Sequence, residues 1–299
     1  MNKQPKVSVI IPTFNRKEIL KKILSSYLDQ KFVCEVIIIN DGSTEDYSSI
    51  TKYFKPIFRK KDIDFVYLEQ KERKGAPVAR NLGIKKSEGN LLLFSDDDIL
   101  LKENLVEKGV KKLLHSNADI IGARAIDVFD EDDFDFNNIE SKKNKKDRSD
   151  VFNYLTLEGR YSIDTKEDVE LPFVFVISLW KRWIFDKGVR FDESYKGNQY
   201  REETSAQVEA SKLGAKIVFS PELVSWHIRQ KTGGQRRDSK LLWCCWSVRN
   251  NTKFLKKYYP FLKNKWQLKY PCWFSWMIFS IRQTAAVFVP RNIRNILRK

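Results

Sequence analysis

The first part of the chain alternates apolar, β-rich runs with stretches in which apolar residues recur every three or four positions. VSVII (7–11), CEVIII (34–39), IDFVYL (63–68), NLLLF (90–94) and DIIGA (119–123) lack polar alternation, the pattern of parallel strands covered on both faces. RKEILKKILSSYLDQ, GAPVARNLGIKKSEG and LKENLVEKGVKKLLHS lie between such runs and carry helical periodicity. Strand, helix, strand in repetition predicts an α/β fold, a Rossmann-like, mostly parallel open sheet with flanking helices. Ligands bind such sheets beyond the carboxyl ends of the strands. The loops at those ends are therefore where chemistry is expected.

Four polar loops fall there: PTFN (12–15), NDGSTED (40–46), RKGAPVARN (73–81) and the three aspartates Asp96, Asp97 and Asp98. Three adjacent carboxylates repel one another unless a cation or solvent offsets the charge, so the triplet is a candidate metal site. On an extended segment Asp96 and Asp98 share a face and Asp97 points away. Asp41-Gly42-Ser43 reads as a tight turn before a helix capped by Ser43 or Thr44. Asp41 equally suits hydrogen bonds from a base or ribose, as an acid after an early strand does in dinucleotide folds. Pro77 suits a first helical turn, and Arg80 falls one turn further in, near a phosphate at the helix N-terminus.

VSVIIPTFNR, IIINDGSTED, GAPVARNLGI and LLLFSDDDIL resemble, in order and at the usual intervals, the four successive blocks of family-2 glycosyltransferases of the GT-A fold. The resemblance is strong over residues 7–100 and looser over 172–227. It implies an inverting transferase that moves a sugar from a nucleoside-diphosphate sugar, a UDP-sugar being favoured, to a hydroxyl of a glycan or lipid-linked acceptor with Mn²⁺ or Mg²⁺. Nucleotide binding would fall to Pro12, Thr13, Asn15, Asp41, Arg80 and Asp96. Metal binding would fall to Asp98, shared with Asp96, while Asp97 supports them or caps a helix. His227 matches a position where some related enzymes hold the metal; a histidine simply packed beside Trp226 is the alternative. The family places a Glu-Asp pair, with Asp as base, where this chain has Glu202-Glu203. Register gives the base role to Glu203 and makes Glu202 the second choice, although acids at a helix start are also explained by the helix dipole. The helix after them should use Ala206, Val208, Ala210 and Leu213 as its apolar positions and end at Gly214, and Pro172 to Ser178 should form a buried strand on the acceptor side.

Charge divides the chain. Residues 229–299 hold 17 Lys and Arg against the single acid Asp238, so the whole net charge of +16 resides there, with five of the eight tryptophans. This composition suits an anionic membrane surface. The apolar run Tyr270 to Ile281 is only 12 residues, short of the roughly 20 that span a bilayer. No nucleic-acid-binding module accompanies the basic residues, so no nucleic-acid partner is expected. The expected division is a catalytic domain over 1–228, with a nucleotide-sugar half over 1–123 and an acceptor half over 151–228, followed by a basic, aromatic helical extension over 229–299. The N-terminus lacks the features of a signal peptide, and Cys34, Cys244, Cys245 and Cys272 have no metal-ligand spacing. A cytoplasmic protein, peripheral at the cytoplasmic face of the cell membrane, is expected. A competing function is a non-catalytic membrane or nucleic-acid adaptor built on a sugar-nucleotide fold. A nucleotidyltransferase is disfavoured because PTFNR lacks a Gly-rich triphosphate loop. Residues 127–150 suggest a surface loop or lid, and 232–238 a loop whose Arg236 or Arg237 meets a pyrophosphate.

Overall fold

The computed structural model describes residues 4–128, 151–229 and 239–289. Most of the 127–150 segment, and Arg236 and Arg237, lie outside these residues. In chain order the elements are β1 (Val7–Thr13), α1 (Lys17–Leu24), β2 (Val33–Asn40), α2 (Ser48–Arg59), β3 (Asp64–Glu69), α3 (Ala76–Lys86), β4 (Leu91–Phe94), β5 (Ile99–Leu101), α4 (Leu105–His115) and β6 (Ile120–Val128). There follow β7 (Phe152–Asn153), β8 (Glu158–Gly159), β9 (Val169–Glu170), β10 (Ser178–Lys181), α5 (Trp183–Asp186), α6 (Glu202–Lys212), β11 (Ile217–Ile228), α7 (Lys240–Trp266) and α8 (Cys272–Phe288).

The main sheet runs β3-β2-β1-β4-β10-β6-β11-β5, with β9 also on β11. The first four strands are parallel, as the βαβ reading predicts. β10 then enters antiparallel between β4 and β6. Period-two alternation explains how the sheet carries a core on each face. Val7, Val9, Ile11, Val36 and Ile38 join a cluster with Ile19, Leu20 and Ile23 of α1, Phe54 and Phe58 of α2 and Val110 of α4. Ile10, Ile37, Ile39, Leu92 and Phe94 face the other way, onto Ala79 and Ile84 of α3, Ala206 and Val208 of α6 and Phe254, Tyr258 and Leu262 of α7. The first helix after residue 229 thus shares the core of the sheet.

Several local expectations are corrected. The helix after the Asp41 turn starts at Ser48, with Tyr47 rather than Ser43 or Thr44 at its cap position. Residues 172–177 are buried loop, and the strand there is only Ser178–Lys181. α6 ends at Lys212, and Leu213 is exposed rather than a packed apolar position. His227 lies within β11, near its end. Lys181 and Arg182 bond to Asp119 and to the Ser87–Gly89 turn, so they brace the sheet end.

β11 is long because it changes partners. A register shift between Ser220 and Val224 bends it, so that its first half pairs with β9 and its second with β5. Ile228 N–H donates to the Asp98 carbonyl at 2.8 Å, which draws this strand end to the aspartates.

The C-terminal helices dock on Arg201. Its guanidinium donates to Asn251 Oδ1 (3.0 Å) on α7 and to the carbonyls of Leu157 (2.6 Å) and Thr156 (3.1 Å). It also lies over the rings of Tyr200, Phe173, Phe254 and Phe279. Arg201→Met keeps bulk but leaves these buried carbonyls without a donor, and should cost about 2–4 kcal/mol, read from the shift in urea midpoint at unchanged slope.

Candidate active site

The strand ends bring the polar loops into two linked clusters. The chain turns directly after β4: Ile99 N–H donates to the Asp96 carbonyl, closing a turn through Asp97 and Asp98. The alternation of an extended segment therefore does not apply. Asp96 swings toward α3 and α6, whereas Asp97 and Asp98 both turn toward β1 and β11.

In the first cluster Thr13 Oγ1, at the end of β1, donates to Asp97 Oδ2 at 2.8 Å and lies 3.1 Å from the Tyr47 hydroxyl. Arg16 Nη1 bridges Asp97 (2.9 Å) and Asp98 (2.8 Å). His227 Nε2 lies 3.5 Å from Asp98 Oδ1, and its Nδ1 lies 3.2 Å from Asp127 Oδ1 at the end of β6. Burial pushes the Asp97 carboxyl up to about 6, against the pull of Arg16. Burial works to lower the His227 value, but bonds to Asp127 and Asp98 outweigh it and raise the imidazole to about 9.

In the second cluster Arg80, 3% exposed, pairs with Asp96 through Nη2 (2.6 Å) and with Glu202 through Nη1. Burial opposes its charge, and Glu202 and Asp96 restore it and raise its pKa. Burial also raises Glu202 well above the carboxylate range and raises Glu203. The two glutamates separate by direction. Glu202 is locked against Arg80, while Glu203 lines a cavity of about 360 Å³ together with Asp127, Arg160, Tyr161, Phe175 and His227.

The remaining sequence candidates organise the loops. Pro12 is opposite Ile39 in the β1–β2 register. Asn15, at φ +50°, accepts bonds from Thr44 N–H and hydroxyl, while its own N–H donates to Ser43. Both Asp41 oxygens accept from the loop ahead of α3: Lys74 N–H at 2.7 Å, Gly75 N–H at 2.8 Å and Gln70 Nε2 at 3.0 Å. Gly75 has φ +100°, and a Cβ there would strike the Gln199 amide, so only glycine fits this turn.

Sequence reasoning assigned no role to Arg16, Asp127 or Tyr47. Arg16 was within reach as the last residue of PTFNR; Asp127 carried no local signal. Among the described residues no three His, Cys, Asp or Glu side chains group closely enough to hold a metal on their own. Hard divalent ions such as Mg²⁺ commonly take only one or two carboxylates and complete their shell with substrate phosphates and water. Asp98 and His227, the latter oriented by Asp127, fit such a partial set.

Solved structures share this architecture. A mannosyltransferase from Pyrobaculum calidifontis, in complex with GDP-Man and Mn²⁺, matches with a TM-score of 0.61 at 16% identity, over 99% of this chain and 79% of that one. Staphylococcus aureus TarS residues 1–349, in complex with UDP-GlcNAc, matches with a TM-score of 0.58 at 16% identity, over 94% and 81%. The fold is that of GT-A glycosyltransferases. The family profile of Glycosyl transferase family 2 matches residues 8–165, and the chain belongs to that family. An uncharacterized glycosyltransferase of Rickettsia bellii is 44% identical over 113 residues, which are 38% of this chain and 16% of that protein. The chain matches less than half the length of the first curated relatives.

Asp41→Ala frees the amides of Lys74 and Gly75. It should destabilise the fold by about 1.5–3 kcal/mol, the range for bonds to a charged group, and raise hydrogen exchange at residues 74 and 75.

Proposed function

We propose that the protein transfers a sugar, with inversion, from a nucleoside-diphosphate sugar to an acceptor hydroxyl, and that Glu203 is the general base. One observation carries this reading: Arg80 binds Asp96 and Glu202 together, while the neighbouring Glu203 faces the cavity that His227 and Asp127 also line. A base must reach the proton it removes, and between the two glutamates only Glu203 faces space for an acceptor. Glu202 is the anchor that holds Arg80 beside the donor-side acid Asp96. Thr13, Asn15 and Asp41 shape the loops around the nucleotide, with Pro12 beneath them. A UDP-sugar remains the favoured donor, and the neighbours bound to UDP-GlcNAc and GDP-Man support the donor class.

Asp98 and His227 would hold a Mn²⁺ or Mg²⁺ ion, with Asp96 turned to Arg80. Such an ion offsets the charge that develops on the leaving diphosphate. The carboxylate of Glu203 takes the proton of the acceptor hydroxyl as its oxygen bonds to the anomeric carbon, and the bond from that carbon to the diphosphate breaks on the opposite face.

The acceptor belongs on the side of α8. Phe279 of that helix stacks on Tyr200 (5.5 Å between ring centres), and Arg282 pairs with Glu158 at 2.6 Å; Tyr200 and Glu158 both line the cavity. The outer face of α8 exposes Trp273, Ile281 and Phe288. Among the described residues no helix is long and apolar enough to cross a membrane. An amphipathic helix lying on anionic lipid would present the cavity to a glycan or lipid-linked acceptor at the cytoplasmic surface.

Glu203→Gln should lower turnover by ~10²-fold or more with donor affinity unchanged. Equal losses for Glu202→Gln and Glu203→Gln, both with intact donor binding, would refute the division of roles. Only the ionised Glu203 accepts a proton, and burial raises its pKa above the usual 4.5. Turnover should therefore rise with pH along an acid limb displaced above the ordinary carboxylate range, and the limb should vanish in the Gln variant. Replacing Trp273, Ile281 and Phe288 by Ser should abolish co-sedimentation with anionic vesicles while donor binding persists. Undiminished sedimentation would refute the lipid-facing role of α8.

A further inference from the structure

Arg16 stands where two buried acids need a cation. Asp97 and Asp98 are 4% and 2% exposed, and a single nitrogen, Arg16 Nη1, lies 2.9 and 2.8 Å from their oxygens. Three adjacent aspartates leave this turn with more negative charge than solvent can screen. Asp96 takes Arg80, so the other two depend on Arg16, with His227 at the far side of Asp98. The position is reached at a cost to Arg16 itself: its Nε is buried without an acceptor among the described residues. Arg16 is the residue before α1, directly after Asn15 in the left-handed conformation, so its side chain extends from a loop rather than from a packed helix face.

We propose that Arg16 is a built-in counter-cation, which offsets the charge of Asp97 and Asp98 while no divalent ion is bound and is displaced when one binds. This rests on the reading above that Asp98 and His227 take a divalent ion. A guanidinium and a divalent ion cannot both sit against the Asp98 carboxylate without strong like-charge repulsion in a buried site. Arg16 therefore competes with the metal and sets the concentration at which the ion enters. It also keeps the acidic turn folded in the metal-free protein. A purely structural arginine would stabilise the turn equally with and without metal; a counter-cation would do so only without it.

The test uses the full chain and Mn²⁺ alone, with no donor and no activity readout. Free Mn²⁺ is followed by electron paramagnetic resonance during titration of the parent, Arg16→Met and Arg16→Gln, and melting is recorded in chelator and in saturating Mn²⁺. In chelator the variants should melt lower than the parent by roughly 5 °C or more, because two buried carboxylates lose the guanidinium they share. Saturating Mn²⁺ should close most of that gap, and the dissociation constant for Mn²⁺ should fall by about tenfold or more relative to the parent. If Arg16→Met does not fold, the Gln variant, which is neutral but polar, carries the same comparison. A parent that binds Mn²⁺ at least as tightly as either variant overturns the counter-cation and leaves the metal reading intact. No binding by parent or variants overturns both.

Discussion

The site depends on one buried charge that has two partners. Arg80 issues from the first turns of α3, and its guanidinium is shared between Asp96, which follows β4, and Glu202, which begins α6. An isolated guanidinium at this depth would be prohibitively costly, and so would Glu202 alone, so neither segment can be placed without the other. The pairing ties the sheet end that carries the aspartates to the helix that carries the glutamates. Phe191 under the guanidinium and Gln199, which accepts from Ala76 N–H, close the same junction between α3 and the loop before α6. Neither half of the site is built independently and then brought together. Both are fixed by the same ion pair.

The same requirement organises the other acids. Asp97 is held by Thr13 and Arg16, Asp127 by His227 and Arg229, and Asp41 by the amides of the loop ahead of α3. Each carboxylate beyond the strand ends thus has a cationic or backbone partner drawn from a different element. Loop positions that sequence composition leaves free become determined by charge.

Strands were legible because their constraint is local. A run dominated by apolar residues without polar alternation must be covered on both faces, and β1 to β4 fall within about two residues of the runs that predicted them. α2 was anticipated as a helix after the Asp41 turn but not delimited, although Ile50, Phe54 and Phe58 lie one helical turn apart on its buried face; Pro56 within the helix interrupts the pattern. β10 could not be foreseen as an antiparallel insertion, because its neighbours Leu92 and Ile121 come from parts of the chain far from it in sequence. In the site, residue types were readable and directions were not. The aspartate triplet announced a charge problem, but its resolution depends on a turn that places Asp97 and Asp98 on one arginine 81 and 82 residues away.

The glutamate pair shows why adjacency in sequence need not mean redundancy. On a helix, consecutive side chains project about 100° apart, so Glu202 and Glu203 cannot both face the same partner. The left-handed Arg201 before them fixes where the helix starts, and its own guanidinium is buried among carbonyls and rings on the α7 side. With that residue anchored, Glu202 is directed at Arg80 and Glu203 at the cavity. Glu202 contributes charge that must stay paired, and its two-partner arginine holds it. Glu203 lines the cavity, and burial raises its proton affinity against the pull of Arg80. Desolvation raises the proton affinity of both carboxylates, and Arg80 opposes it at both. The two neighbours are therefore separated in space, one onto Arg80 and one onto the cavity, by where the first turn of one helix begins.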